Sequence, residues 1–199
     1  MNLVGRIKDI VLKPKLEWHI IAREPSTIAE LYKTYIVILA ALGPVASVIG
    51  LSIIGANMPG VGTIKIPITT AIASAILQYG LTLAAVYVLA LIINALAPTF
   101  SGEKNINQAF KLAAYSYTPG WLAGIFMMIP ALGFLGIFGL YGLYMLYLGL
   151  PVLMKSPGEK SAGYTVAIII AAIVLFAVIA MISRSIFTFP RPGMTMSGM

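Results

Sequence analysis

Residues 112–154 read LAAYSYTPGWLAGIFMMIPALGFLGIFGLYGLYMLYLGLPVLM, 43 residues without one Asp, Glu, Lys or Arg. A bilayer core about 30 Å thick is crossed by roughly 20 apolar residues in a helix. This stretch is long enough to cross twice, with Pro130 to Gly133 as the tight turn between the two passes. Working outward, three more uncharged runs appear: Thr34–Ile64, Ile66–Gly102 and Ser161–Ser183, of 31, 37 and 23 residues. Each supplies one crossing. The sequence therefore predicts an all-α integral membrane protein with five transmembrane helices.

Composition agrees. The chain is 60% hydrophobic and 10% charged, where a soluble domain carries about 25% charged residues. Five spans in 199 residues leave only the first 30 or so and a short tail outside the helices. That leaves no room for a soluble catalytic domain. There is no cysteine, which excludes disulfides, thiolate catalysis and cysteine metal sites. The net charge of +7 reads as orientation signals flanking the spans rather than as a nucleic-acid surface. Met1–Trp18 carries scattered charges and no apolar run of signal-peptide type.

Orientation follows from the charges. With the N-terminus inside, the inner segments hold Arg6, Lys8, Lys13, Lys15, Arg23, Lys33, Lys104, Lys111, Lys155 and Lys160. The outer ones hold Lys65, Arg184 and Arg191. A split of 10 to 3 is a positive-inside bias, and it places the C-terminus outside. The predicted layout is a cytoplasmic amphipathic N-terminal segment over 1–30, a five-span membrane domain over 31–187 and a disordered external tail over 188–199. The predicted location is a prokaryotic cytoplasmic membrane.

Asn2–Leu12 has the period of an amphipathic helix, with Leu3, Val4, Ile7, Ile10 and Val11 on one face. Pro14 ends or kinks it. This N-terminal interfacial helix either lies flat on the inner leaflet, with Trp18 as anchor, or packs under the bundle. Thr27 and Glu30 have capping-box spacing before the next helix. The spans are expected at about Lys33 to Gly55, Pro67 to Ala97, Lys111 to Ile129, Phe134 to Met154 and Tyr164 to Ile186. A helix from 67 to 97 is roughly 46 Å long at 1.5 Å per residue. It must tilt, kink at Gly80 or project from the membrane.

Enzymatic signals are missing. The single histidine, His19, has no ligand-spaced partner, and no phosphate loop or nucleophile elbow is present. No catalytic residue, metal ligand set or cofactor is predicted. No charge lies well inside a span, which argues against ion-coupled transport. Met194, Met196 and Met199 form MxMxxM, a thioether pattern that reads as coincidence in a tail without His or Cys.

The third and fourth spans are unusual. Gly120 and Gly124 form GxxxG, and Gly133, Gly136, Gly139 and Gly142 recur every three residues. These six are the candidate helix-packing residues, because small side chains let backbones approach in lipid. Tyr144 and Tyr147 share the three-residue step, and Tyr115, Tyr117 and Thr118 face the same inner half. A buried tyrosine hydroxyl wants a partner, and Pro119 and Pro151 each open a carbonyl one turn earlier. Two readings stand. One is a tight hairpin held by glycine contact and tyrosine hydrogen bonds. The other is an inward-open polar cavity with Lys155 at its mouth. Asn94 is a further polar candidate in the second span.

These same residues carry a resemblance. Ala114-Tyr115-Ser116-Tyr117-Thr118-Pro119, Leu140-Tyr141, Tyr144, the run Tyr147-Leu148-Gly149-Leu150-Pro151-Val152-Leu153-Met154-Lys155, Pro157, Lys160 and Gly163-Tyr164 resemble the bacterial branch of the Yip1 family. The resemblance runs from about Glu24 to Ile186. It implies a five-helix membrane protein with a cytoplasmic N-terminus and supplies no settled activity. The motif Asp-Leu-Tyr-Gly-Pro of eukaryotic members is here only Glu30-Leu31-Tyr32, followed by Lys33 and Thr34.

Two functions are expected from all this. The first is a non-enzymatic membrane organiser whose partners are lipid, further copies of itself or other membrane proteins. The alternative is a small carrier or channel, for a small molecule or lipid, with a cavity between the second, third and fourth spans.

Overall fold

A computed structural model describes residues 2–58, 60 and 62–186, without the side chains of Met58 and 184–186. The expected disordered tail and its methionine pattern lie outside the described residues.

The chain opens with two short helices, α1 (Leu3–Leu12) and α2 (Pro14–Arg23). Asn2 caps α1 by accepting from the Gly5 N–H at 3.2 Å. Pro14 both ends α1 and opens α2, since a first-turn proline lacks an N–H that would be unpaired anyway. The expected capping box is present: Glu30 N–H donates to Thr27 Oγ1, and Thr27 N–H to Glu30 Oε2. It starts the long helix α3 (Ile28–Ile54), which contains π-helical turns at Tyr32–Ile36 and Ile49–Ile54.

The expected outer loop holds a small ladder, β1 (Ala56–Met58) antiparallel to β2 (Gly62–Ile64). Gly60 and Gly62 turn it with φ of 82° and 93°, a region that disfavours side chains. Helix α4 (Ile68–Leu96) runs unbroken through Gly80 and continues as a 3₁₀ turn to Phe100.

Next come α5 (Ile106–Ser116), α6 (Thr118–Ala123) and a 3₁₀ segment, Gly124–Met128. They are interrupted at Tyr117, and Pro119 sits in the first turn of α6. A 3₁₀ helix, Pro130–Leu140, leads into α7 (Tyr141–Leu153), and α8 (Gly158–Ile186) closes the chain.

Four helices are long and apolar enough to cross a membrane: Ile28–Ile54, Ile68–Phe100, Pro130–Leu153 and Gly158–Ser183. The chain is thus a helical membrane protein. The predicted span from Lys111 to Ile129 differs from these because the break at Tyr117 divides it.

The core surrounds α5, whose residues Ala109–Ser116 are all buried. Helix α4 packs along α5, α8 against α4 and α7, and α2 against α7. Tyr164 of α8 donates to the Ile93 carbonyl and stacks on Phe100, with ring centroids 4.8 Å apart. Outside, Val166, Ile170, Ile173 and Val174 on α8 and Phe134, Ile137 and Phe138 on the 3₁₀ helix stay exposed. An apolar surface of that extent needs a covering, and lipid supplies it.

The 3₁₀ helix gives the glycine row its meaning. Three residues make one turn, so side chains at i and i+3 eclipse. Gly133, Gly136 and Gly139 therefore form a straight column instead of a drifting one. A Cβ on Gly139 would sit 3.2 Å from Gly120 Cα, and one on Gly142 would run into the Ser116 carbonyl oxygen. Among the described residues, nothing lies within 4 Å of such an atom at Gly133 or Gly136. The column thus packs against α5 and α6 at one end and stands open at the other.

Candidate functional site

The α1–α2 pair is held to the bundle by charge. Arg6, counted among the inner orientation charges, is buried, and its guanidinium pairs with the carboxylates of Glu17 and Glu24. It also lies over the Tyr115 ring, 6.0 Å from the centroid. Burial alone would weaken its charge, but the Glu24 hydrogen bond, with the nearby Tyr115, Glu24 and Glu17, outweighs that and raises its pKa. Lys111 reaches in from α5 and donates to the carbonyls of Ile21 at 3.0 Å and Glu24 at 2.6 Å. A cation is favoured at those carbonyls because a helix C-terminus carries partial negative charge. Gln108 donates to the Ala22 carbonyl at 2.9 Å. Trp18, an interfacial anchor in only one of the two readings of the N-terminal helix, is fully buried, and its Nε1–H donates to the Met145 carbonyl at 3.1 Å.

An aromatic layer lies beneath. The Tyr35 hydroxyl bonds Thr118 Oγ1 at 2.7 Å, and the Tyr35 ring tilts against Tyr115 at 4.7 Å. Tyr117 stacks on Trp121 at 5.7 Å. The Tyr117 hydroxyl, Ser116 Oγ and Trp121 Nε1 are buried without a hydrogen-bond partner among the described residues. Ser116 and Tyr117 also line a recess of about 270 Å³ with Gly120, Gly139 and Gly142.

The candidate tyrosines thus divide. Tyr115, Tyr117 and Thr118 join Tyr35 and Trp121 inside, with Pro119 beside them. Tyr144 and Tyr147 stand on the outer face of α7, 44% and 41% exposed. Several tyrosine hydroxyls do find carbonyls, but not those opened by the two prolines. Tyr32 donates to Leu83, Tyr79 to Val37 and Tyr141 to Val11, at 2.8, 3.0 and 3.0 Å. Pro151 lies within α7. Lys155 pairs with Glu103 at 2.7 Å, with both side chains about two-thirds exposed, and such a pair contributes little. Asn94 Oδ1 is buried and has no hydrogen-bond partner among the described residues.

Toward the β-hairpin end lies a cleft of about 440 Å³, lined by Ser47, Ser74, Gln78 and Ser183 among others. Gly43 and Gly124 close its floor: a Cβ on Gly124 would lie 3.0 Å from Gly43 Cα. Gly43 and Gly124 thus form a glycine pinch in the lining of the cleft.

Sequence reasoning missed the Arg6–Glu17–Glu24–Lys111 network. One signal was available: Glu17 and Glu24 are seven residues apart, hence on one helical face. It missed the serine-lined cleft because isolated serines in apolar helices give no period.

The inner hydrogen bonds carry a prediction. Tyr35→Phe should cost about 1 kcal/mol, since it strands Thr118, whereas Tyr144→Phe should change stability by less than about 0.5 kcal/mol. Thermal unfolding in detergent checks both, and equal losses would contradict this division of the tyrosines.

The family model for the Yip1 domain matches residues 8–181. Inner membrane protein YohC of Escherichia coli strain K12 is 33% identical to this chain over 118 residues, which cover 59% of this chain and 60% of that protein. The protein of the same name from Escherichia coli O6:H1 matches equally. The chain thus spans about 60% of the length of the curated relatives it matches. No solved structure matches the chain.

Proposed function

We propose that this chain, which belongs to the Yip1 domain family, is a non-enzymatic organiser of a bacterial cytoplasmic membrane, acting through helix and lipid contacts. In this reading it crosses the membrane five times. The third crossing is the interrupted segment 106–128, with residues 1–30 in the cytoplasm and the C-terminus outside. The family match, the relatives' name and the 10 to 3 charge split support the placement.

One observation carries the organiser reading. Arg6, Glu17 and Lys111 at the N-terminal end are buried and satisfied by the protein itself: Arg6 pairs with Glu17, and Lys111 donates to the Ile21 carbonyl. Those buried charges are therefore not offered to a substrate. Meanwhile Gly133 and Gly136, flanked by exposed Phe134 and Ile137, offer a small-residue surface to another helix.

The carrier reading has its own observation, the cleft that holds Ser47, Ser74, Gln78 and Ser183 and has the Gly43–Gly124 pinch in its lining. A transport path would need that pinch to open.

The absence of cysteine allows a direct test. Single-cysteine variants of the full chain are labelled in cells with an impermeant maleimide. Gly60→Cys should label from outside and Lys104→Cys only after permeabilisation. Gly136→Cys should cross-link to a second copy, and Thr118→Cys should stay unreactive from both sides. A labelled Thr118→Cys with no cross-linking at position 136 would replace the organiser by the carrier.

A further inference from the structure

The elbow between α1 and α2 forms a shallow recess of about 370 Å³ against α7, lined by Leu12, Lys13, Lys15, Leu16, Tyr141 and Tyr144. We propose that this recess binds the headgroup and first acyl carbons of an anionic phospholipid from the leaflet on the N-terminal side.

The position of the elbow comes first. Tyr144 is nine residues before the end of α7 at Leu153, so the recess lies roughly 14 Å above that helix end. Two lysines at that height cannot face hydrocarbon, where each costs several kcal/mol. The lipid boundary on this side therefore runs at the elbow, and the end of α7 projects beyond it. The length of the span agrees. The 3₁₀ stretch from Pro130 to Leu140 followed by Tyr141–Tyr144 rises roughly 28 Å, at 2.0 and 1.5 Å per residue, close to a hydrocarbon core of about 30 Å. Exposed Tyr144 and Tyr147 fall where interfacial tyrosines gather.

The chemistry comes second. Neither Lys13 nor Lys15 takes part in an ion pair among the described residues, and both side chains are exposed. Arg6, by contrast, spends its charge inside on Glu17 and Glu24. The Tyr144 hydroxyl makes no hydrogen bond among the described residues, while Tyr141 is held by the Val11 carbonyl at 3.0 Å. Two ammonium groups and one free phenol offer donors to a phosphodiester. Leu12 and Leu16, both 66% exposed beside them, are placed to meet the acyl chains. A free phosphate would satisfy the lysines but leave both leucines in water. The proposal rests on the membrane-boundary reading of the N-terminal pair.

The test uses the full chain, delipidated in detergent and titrated with dioleoyl phosphatidylglycerol, dioleoyl phosphatidylcholine or glycerol 3-phosphate, with adducts counted by native mass spectrometry. Phosphatidylglycerol should bind about tenfold more tightly than phosphatidylcholine, and a Lys13→Gln/Lys15→Gln variant should lose that preference. Lys65→Gln, on the β-hairpin side, should keep it. Equal binding of the two lipids, a preference that survives the double substitution, or glycerol 3-phosphate binding as well as the lipid would overturn the proposal. A polarity-sensitive label on Ile20→Cys, in nanodiscs, reads the boundary separately. A label in bulk water removes the boundary and the lipid site together. A label at the interface with no lipid preference removes the site alone.

Discussion

Arg6→Met should destabilise the protein by about 3 kcal/mol or more, because removing one partner leaves a buried charge uncompensated. Glu17 is the group left behind. Its side chain and that of Arg6 are each only 8% exposed, so water cannot take over the lost contact. Glu24 is 39% exposed and can be rehydrated, so Glu24→Gln should cost much less. Replacing both buried partners, Arg6→Met with Glu17→Leu, should recover much of the loss, since an apolar pair of similar volume needs no compensation. Denaturant titration in detergent reads all three variants. An additive double variant would mean that the two side chains do not act as a pair. The raised pKa of Arg6 has a definite sign. A base with a raised folded pKa contributes fully below its ordinary value and loses that contribution only as pH rises through the folded value. The guanidinium's share of stability should therefore be constant across the neutral range.

Gly142→Ala should be the most damaging alanine substitution in the glycine column, at about 2–3 kcal/mol. The added methyl would overlap the Ser116 carbonyl oxygen, which is backbone inside the core and cannot rotate away. Gly139→Ala should fall lower, because its methyl would meet Gly120 Cα at 3.2 Å, a contact that a few tenths of an ångström relieve. Gly136→Ala should lie within about 0.5 kcal/mol of the parent, with nothing among the described residues within 4 Å. Unfolding midpoints in detergent give the order. A uniform loss along the column would mean that Gly133 and Gly136 are covered too, and the open surface invoked for helix contact would not exist.

Much of the architecture was legible because lipid imposes simple rules. Uncharged runs of sufficient length must cross or lie in the bilayer, and the structure has helices at each of them. The capping box before Ile28 was legible for the same kind of reason: a local spacing satisfies a local need. The three-residue glycine step was visible, but its meaning was not. On an α-helix the row drifts, and on a 3₁₀ helix it is a column. The choice between the two depends on packing against α5 and α6.

The amino-acid sequence alone determined the membrane class, the approximate spans and the family resemblance, since each rests on composition or on short patterns. The tertiary structure decided which charges are buried, which tyrosines share a layer and where the serine-lined cleft lies. Arg6 and Glu17 sit on different helices, and Lys111 reaches the Ile21 carbonyl across 90 positions of chain. Tyr115 and Tyr144 are both tyrosines after apolar residues, yet one fills the core and the other faces outward. Burial and pairing depend on how helices dock, and docking sums weak contacts between residues far apart in sequence, so no local pattern records it.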